Sequence, residues 1–266
     1  MSRVPTEPYE RRSVGASETG RVRENNQDAI LADDARGLWL VADGMGGHAG
    51  GARASEIARE TISRCHRDGI SLREAVLEAH NVIRAEQANR PEFGDMGTTI
   101  VAVAEVERDY EICWVGDSRA YRFSPRMGVL ELLTRDHNVA GMLVAAGALS
   151  PDEAARHPQR HVLTDCLGLT GEHEPRIGSL QDQWKNGEWL LLCSDGLSGE
   201  LTDREIERIL KTSSTLEDAG KTLLDRTLEA GAHDNVSMVL VAGPQMAESP
   251  SPRAFRWPWP FRRRSL

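Results

Sequence analysis

The stretch that decides the fold lies at residues 38–51 and reads LWLVADGMGGHAGG. It begins as an apolar run typical of a buried strand, turns at Asp43 and Gly44, and leads into a helical pattern. Glycines let the backbone turn sharply, so that a main-chain carbonyl such as that of Gly44 can face a metal. The phosphate-cradling pattern GxxxxGK[ST] is absent, which argues against the nucleotide loop that a glycine-rich turn before a helix otherwise suggests. We therefore predict a strand, a loop headed by a carboxylate, and a helix.

Three further apolar runs meet an aspartate in the same way. The runs ICWVG and WLLLCS lead into Asp117 and Asp195, and Asp234 precedes the run VSMVLV. One aspartate beside a strand is usually a turn residue. Four strands of one core, however, place their ends on a shared rim, where carboxylates repel each other. Divalent cations relieve such repulsion, and oxygen ligands suit Mg²⁺ or Mn²⁺. No histidine and cysteine set with zinc spacing competes.

A basic cluster precedes a fifth aspartate. Residues 19–28 read TGRVRENNQD and contain Arg23 and Asp28. A guanidinium matches phosphate oxygens with two parallel hydrogen bonds. The alternative is that Arg23 is a solvated surface charge, as most arginines in polar stretches are. The residues alone leave both interpretations open.

The order of the remaining patterns indicates the fold class. Helical patterns cover 51–66, 71–89, 138–146, 151–155 and 216–229, and strand-like runs cover 29–32, 38–42, 98–106, 110–115, 120–123, 130–134, 188–193 and 236–242. The patterns lack the regular alternation of a parallel sheet. We expect antiparallel sheets covered by helices, an α+β domain at 8–245, and a tail at 246–266.

Composition excludes several classes. The formal charge is −9, and because the five arginines after Glu248 contribute +5, residues 1–248 carry about −14. Such acidity argues against nucleic acid as a partner. The four dispersed cysteines predict free core thiols. Without a signal peptide or an apolar run long enough to span a bilayer, we expect a cytoplasmic monomer.

The motifs together resemble the metal-dependent serine/threonine protein phosphatases of type 2C, in their bacterial form. The similar stretches, in order, are GRVRENNQD (20–28), VADGMGGHAGG (41–51), GTT (97–99), VGDSRAY (115–121), LTRDH (133–137), LCSDGL (192–197) and DNVS (234–237). They span nearly the whole domain. The resemblance implies a four-layer α-β-β-α sandwich, in which helices flank two mainly antiparallel sheets.

The resemblance also implies the metal ligands. Asp43 would bridge two Mn²⁺ or Mg²⁺ ions, with the Gly44 carbonyl on one of them. Asp195 and Asp234 would hold the other ion, and Asp28 would act through metal-bound water. Bacterial relatives often have a third, weaker metal site. Its match here is Asp117, with Asp195 shared, which would make three ions in all.

The activity that the resemblance implies is hydrolysis of phosphoserine and phosphothreonine by a hydroxide held between two cations. Arg23 would bind the substrate phosphate. The partners would be phosphorylated proteins and a Hanks-type Ser/Thr kinase whose action the enzyme reverses. His161 falls in the flap region, where relatives commonly have a small polar residue, and we assign it no ligand role.

One position departs from the wider family, and two rival functions stay open. Met45 replaces the histidine that in eukaryotic members is thought to protonate the leaving group. His48 could serve as that acid, although a capping or packing role is favoured. The rivals are a catalytically dead binding module and a hydrolase of small phosphate esters. The tail mixes tryptophan, proline and arginine, which suits a membrane surface, a partner protein or a plain extension.

Overall fold

The computed structural model describes residues 12–47, 49–170 and 174–244. The start of the expected domain, the tail at 246–266 and His48 lie outside this part. The strands are β1 (Ser13–Glu18), β2 (Asp28–Asp33), β3 (Leu38–Gly46), β4 (Met96–Thr98), β5 (Ile100–Val106), β6 (Asp109–Val115), β7 (Arg119–Ser124), β8 (Val129–Leu132), β9 (Gly178–Gln183), β10 (Trp189–Cys193) and β11 (Val236–Ala242). The helices are α1 (Gly50–Arg67), α2 (Leu72–Asn89), α3 (Val139–Ala145), α4 (Pro151–Ala154), α5 (Asp195–Ser198), α6 (Asp203–Thr212) and α7 (Leu216–Ala230), with one 3₁₀ turn at Pro91–Phe93.

The strands form two sheets. One sheet has the order β1-β11-β10-β7-β8, and the other has the order β2-β3-β5-β6-β9, with β4 paired to β3. Each of these pairs is antiparallel. The α+β prediction of two antiparallel sheets is thus confirmed.

Both faces of the central strands are buried, which creates the four layers. In β3, Trp39 and Val41 pack between the sheets against β10 and β11. Leu38, Leu40 and Ala42 point to the opposite face and pack against α1 and α2. The other sheet is covered in the same manner by α6 and α7. Because successive strand residues face opposite sides, a continuous apolar run is what a strand between two layers requires.

The cysteines and the composition of the helices are consistent with this layered domain. Cys65, Cys113, Cys166 and Cys193 are free and buried, as predicted. Among the described residues, no helix is both long and apolar enough to cross a bilayer.

Several elements differ from the sequence prediction. The run at 98–106 is divided, because Thr98 ends β4 and β5 begins only at Ile100. The edge strands β1 and β9 escaped prediction because they are rich in small and polar residues. Helix α6 was also missed, although Thr202 and Glu205 form a reciprocal capping box that marks its start.

The two sheets bring their strand ends to one rim, and Gly44 is a position there where backbones approach each other closely. Asp28 of β2 lies directly opposite Asp43 of β3. A Cβ atom on Gly44 would lie 2.2 Å from the Gly51 carbonyl oxygen and 2.4 Å from that of Gln27. Both neighbours are backbone atoms that cannot move without shifting β2 or α1. A side chain at this position would therefore push apart the segments that form the rim.

We expect Gly44→Ala to lower the free energy of unfolding by about 1–3 kcal/mol, as overpacking typically does. The matched control is Gly47→Ala in the same loop, where an added Cβ meets no atom within 4 Å. Urea unfolding followed by circular dichroism measures both. Equal stability of the two variants would contradict the close approach at Gly44.

Candidate active site

The rim opens into a cleft of ≈ 1130 Å³ whose lining includes Asp43, Asp117, Asp195 and Asp234. Asp28 lies beside Asp43 on the neighbouring strand. The structure thus brings the five aspartates singled out in the sequence to one place. They come from β2, β3, β10–α5 and the turns before β7 and β11, so only the folded chain assembles them.

Hydroxyl groups fix the backbone of Asp43. The Asp43 amide donates to Thr99 Oγ1 at 3.2 Å, and Thr98 Oγ1 donates to the Asp43 carbonyl oxygen at 2.9 Å. Thr99 Oγ1 also lies 2.6 Å from Ser118 Oγ, which ties this strand end to the residue after Asp117. Burial, followed by the charges of Asp28 and the other aspartates, raises the pKa of Asp43 well above its usual value.

Asp28 has one satisfied and one unsatisfied oxygen. Ser194 Oγ donates to Asp28 Oδ2 at 3.0 Å. Oδ1 is buried and has no hydrogen-bond partner among the described residues. Burial is the main cause that raises the Asp28 pKa to about 6, and the charges of Asp195 and Asp234 add to it. A buried carboxylate oxygen without a donor needs a cation or a bound water.

Asp117 is the most enclosed of the cleft aspartates, with 6% of its surface exposed. Burial and then the charge of Asp195 raise its pKa to about 7. The Asn138 amide lies 3.5 Å from Asp117 Oδ2. The same Asn138 caps α3, because its Oδ1 accepts from the Gly141 amide at 2.8 Å. Asn138 thereby links the Asp117 turn to the segment that follows it.

Two side chains with basic character contact the aspartates. Arg23 Nη2 donates to Asp234 Oδ2 at 2.6 Å, and this bond raises the Arg23 pKa further. His161 Nδ1 lies 3.4 Å from Asp195 Oδ2, which raises the His161 pKa. Both basic side chains are more than half exposed. They stand at the open side of the cluster and leave its interior negative.

The donor set fits hard divalent cations that keep part of their water shell. Four of the five aspartates and Gly44 line the cleft, and Asp28 adds an unsatisfied oxygen. Within the described part of the chain, no three acidic, histidine or cysteine side chains already surround a single ion position. Mg²⁺ is usually held by one or two carboxylates and several waters, so this arrangement suits it and Mn²⁺ better than a fully protein-ligated ion.

Several neutral residues that contact or adjoin the aspartates are not among the residues predicted from the sequence. Ser194 and Ser118 directly adjoin Asp195 and Asp117, and Thr99 lies in the GTT stretch. Their position beside the aspartates was the available signal. His161, for which the sequence predicts no ligand role, lies against Asp195. Met45 lines the cleft at the position where the resemblance places a histidine in other members.

Sequence comparison identifies a family. A family model described as Protein phosphatase 2C matches residues 16–237. The serine/threonine phosphatase Stp of Listeria monocytogenes is 31% identical over 238 residues, covering 85% of this chain and 93% of that protein. The serine/threonine protein phosphatase PstP of Mycobacterium tuberculosis is 34% identical over 235 residues, covering 86% of this chain and 44% of that protein.

Structural comparison agrees. The crystal structure of M. tuberculosis PstP superposes with a TM-score of 0.80 at 31% identity, covering 88% of this chain and 99% of that one. A structure of the PstP catalytic domain in complex with two manganese ions gives a TM-score of 0.75 at 30% identity, covering 88% and 98%. Its fold, its aspartate-lined cleft and these similarities show that the chain belongs to the protein phosphatase 2C family of metal-dependent serine/threonine phosphatases.

Proposed function

We propose that the aspartate-lined cleft is the active site at which this protein phosphatase hydrolyses phosphoserine and phosphothreonine in other proteins. The observation that carries the proposal is the grouping of Asp28, Asp43, Asp117, Asp195 and Asp234 beside Arg23, with raised pKa values for the most buried of them. An uncompensated cluster of this kind costs stability, so a charged ligand is the physical reason for it.

The residues would divide the binding of the ions between them. Asp43 would serve both cation sites, the Gly44 carbonyl would contribute to one, and Asp195 with Asp234 would hold the other cation. Asp28 would accept hydrogen bonds from bound water through Oδ1, which has no hydrogen-bond partner among the described residues. When bound, the ions supply activation of water at neutral pH and the positive charge that attracts a phosphate dianion. Asp117, sharing Asp195, would form a third and weaker site.

Arg23 would bind the phosphate. Its guanidinium stands at the open side of the cleft with 56% of the side chain exposed, and its partner Asp234 belongs to the cluster. Exchange of this carboxylate for phosphate oxygens keeps the charge-assisted hydrogen bonds while orienting the ester. The position suits a substrate that arrives from solvent on a protein surface.

The cysteines do not supply a nucleophile. Burial raises the pKa of Cys113 and Cys193 to about 12 and that of Cys166 to about 11. A thiolate is the reactive form, and it is scarce at neutral pH under these conditions. Direct attack by water on phosphorus therefore fits this chain better than a phosphocysteine intermediate.

The cellular setting is also part of the proposal. The phosphoproteins would be products of a Hanks-type Ser/Thr kinase, and the enzyme would act as a cytoplasmic monomer. The tail at 246–266 would hold it near an anionic membrane surface, because its arginines and tryptophans favour that interface.

Asp195→Asn is expected to lower Mn²⁺-dependent hydrolysis of a phosphothreonine peptide at least about 100-fold, since the substitution weakens the binding of a catalytic ion. EDTA should abolish the wild-type activity, and added Mn²⁺ should restore it. Phosphate release measured with malachite green reports the rate. The matched control is Asp225→Asn, an exposed carboxylate on α7 paired with Lys221.

The same assay separates the rival functions. If the protein is a catalytically dead binding module, the wild type will release no phosphate from the peptide under any metal condition. A hydrolase of small esters would show a higher kcat/KM for p-nitrophenyl phosphate than for the peptide. Either result would contradict the proposed function.

Asp43→Asn is expected to raise the Tm of metal-free protein by about 3–8 °C at pH 8. Because the pKa of Asp43 is raised in the folded protein, its carboxyl group lowers stability progressively as pH rises from its ordinary pKa to the folded-state pKa, and the amide removes this charge. In saturating Mn²⁺ the order should reverse, because ligand binding at 100 times Kd stabilises by about 2.7 kcal/mol and the variant loses most of this gain. Differential scanning fluorimetry with and without EDTA measures both. An unchanged Mn²⁺ shift would contradict the role of Asp43.

Deletion of residues 249–266 is expected to abolish sedimentation with phosphatidylserine vesicles while phosphopeptide hydrolysis changes less than about twofold, since each arginine near an anionic surface contributes about 1 kcal/mol. Neutral phosphatidylcholine vesicles are the control for non-specific adhesion. Equal vesicle binding by the full chain and the deletion would refute the membrane role of the tail.

A further inference from the structure

The Asn235 side chain connects three separate points of the loop between β1 and β2. Its Nδ2 group donates to the Thr19 carbonyl oxygen at 2.9 Å and to the Asn25 carbonyl oxygen at 3.0 Å. Its Oδ1 accepts from the Gln27 amide at 2.9 Å. Asn235 is buried, with 5% of its surface exposed, so its amide group is shielded from water. We call residues 19–27 the arginine loop, because Arg23 lies at its centre.

Asn235 supplies hydrogen-bond partners to backbone groups of the arginine loop that no neighbouring strand pairs with. The Thr19 and Asn25 carbonyl groups lie in the loop between β1 and β2, outside both of these strands. A buried carbonyl that loses its donor costs about 1–3 kcal/mol. A primary amide can donate twice and accept at the same time, and serine or threonine in its place could not reach all three groups. The residue type therefore matches the task.

Further contacts attach the same loop to the same turn. The Arg21 amide donates to the Ala232 carbonyl oxygen at 2.9 Å, and Arg21 Nε donates to the Leu228 carbonyl oxygen at 2.9 Å. At Gly20, with φ +80°, a Cβ would lie only 2.2 Å from the Asp234 carbonyl oxygen. The arginine loop is thus held against the turn that leads from α7 into β11.

That turn also carries Asp234, the residue that Arg23 contacts. Because Asn235 is the next residue, one short segment fixes both the carboxylate and the loop that brings the guanidinium to it. The Arg23 side chain itself is 56% exposed and donates a hydrogen bond to Asp234. Its position therefore depends on how the loop backbone is held.

We propose that Asn235 is a positioning residue that holds the arginine loop so that Arg23 faces the phosphate of the substrate. The inference rests on the proposed phosphate-binding role of Arg23. Loss of the Asn235 amide would release Thr19, Asn25 and Gln27 and let the loop move away from the cleft. The carboxylates of Asp43 and Asp195 are carried by β3 and by the start of α5 and would stay in place.

Limited trypsin digestion of the metal-free protein tests the clamp without reference to activity. Trypsin cleaves after Arg21 and Arg23, so Asn235→Ala should speed cleavage at these two bonds on the order of tenfold. Cleavage after Arg208 in α6 reports global unfolding and should change less than about twofold. Asn89→Ala, at the exposed end of α2, is the control. Mass spectrometry of the fragments gives each rate.

A second variant covers the case in which Asn235→Ala does not fold. Asn235→Asp has nearly the same shape and keeps the acceptor for Gln27, but it loses both donors to the loop carbonyls. It should also sensitise the bonds after Arg21 and Arg23. If neither variant speeds cleavage there beyond the change at Arg208, the proposed clamp is wrong.

A double-mutant cycle then tests the functional part. In saturating Mn²⁺, Arg23→Gln and Asn235→Ala should each raise the KM for a phosphothreonine peptide about tenfold, with kcat changed less than about threefold. The double variant should be no more than about twofold worse than Arg23→Gln, because the clamp acts through Arg23. The inhibition constant of inorganic phosphate should rise in parallel.

The outcomes distinguish the two proposals. Arg23→Gln without any effect on KM or phosphate inhibition would refute the phosphate-binding role of Arg23, and with it the function of the clamp. Multiplied effects in the double variant, or a fall in kcat alone, would refute the positioning role of Asn235 while the role of Arg23 stands.

Discussion

Repulsion among carboxylates at the shared end of two packed sheets is the constraint on which the rest of the structure depends. Burial and the neighbouring charges raise the pKa of Asp43 and bring that of Asp117 to about 7. The fold tolerates this cost because the layers on either side of the rim bury large apolar clusters. Trp39 and Leu190 lie in the core between the sheets and are fully buried. The apolar core thereby stabilises a site that would be unfavourable by itself.

The residues that hold Asp28 and Asp43 are neutral, and this has a chemical consequence. Thr98 and Ser194 supply hydroxyl donors to the carbonyl oxygen of Asp43 and to the carboxylate of Asp28. Arg119 lies near the cluster, but it makes its paired hydrogen bonds with Asp136 and not with Asp117. Neutral donors orient carboxylates without cancelling their charge. The negative potential is therefore left for divalent cations, and an acidic protein can still attract a phosphate.

How much the sequence predicts depends on whether the signal is local. Continuous apolar runs such as those of β3 and β10 indicate strands that are buried on both faces. The aspartates that flank these runs predict that carboxylates gather at a shared rim. The edge strands β1 and β9 carry no such run. Each of them has a neighbouring strand along only one of its two edges. Helix α6 has a local signal in the capping box of Thr202 and Glu205, which apolar periodicity alone does not detect. The bond from Asn235 to Thr19 joins residues 216 positions apart, and no local pattern encodes it.

The pair Asp234 and Asn235 shows how adjacent residues acquire different tasks. Successive side chains near the start of a strand point to opposite sides. Asp234 is partly exposed towards Arg23, whereas Asn235 is buried against the backbone of the arginine loop. The turn before β11 therefore sets the distance between a carboxylate of the cluster and the guanidinium at its edge. A change in the register of β11 would displace both together, so the pairing of β11 with β1 and β10 contributes to the geometry of the cleft.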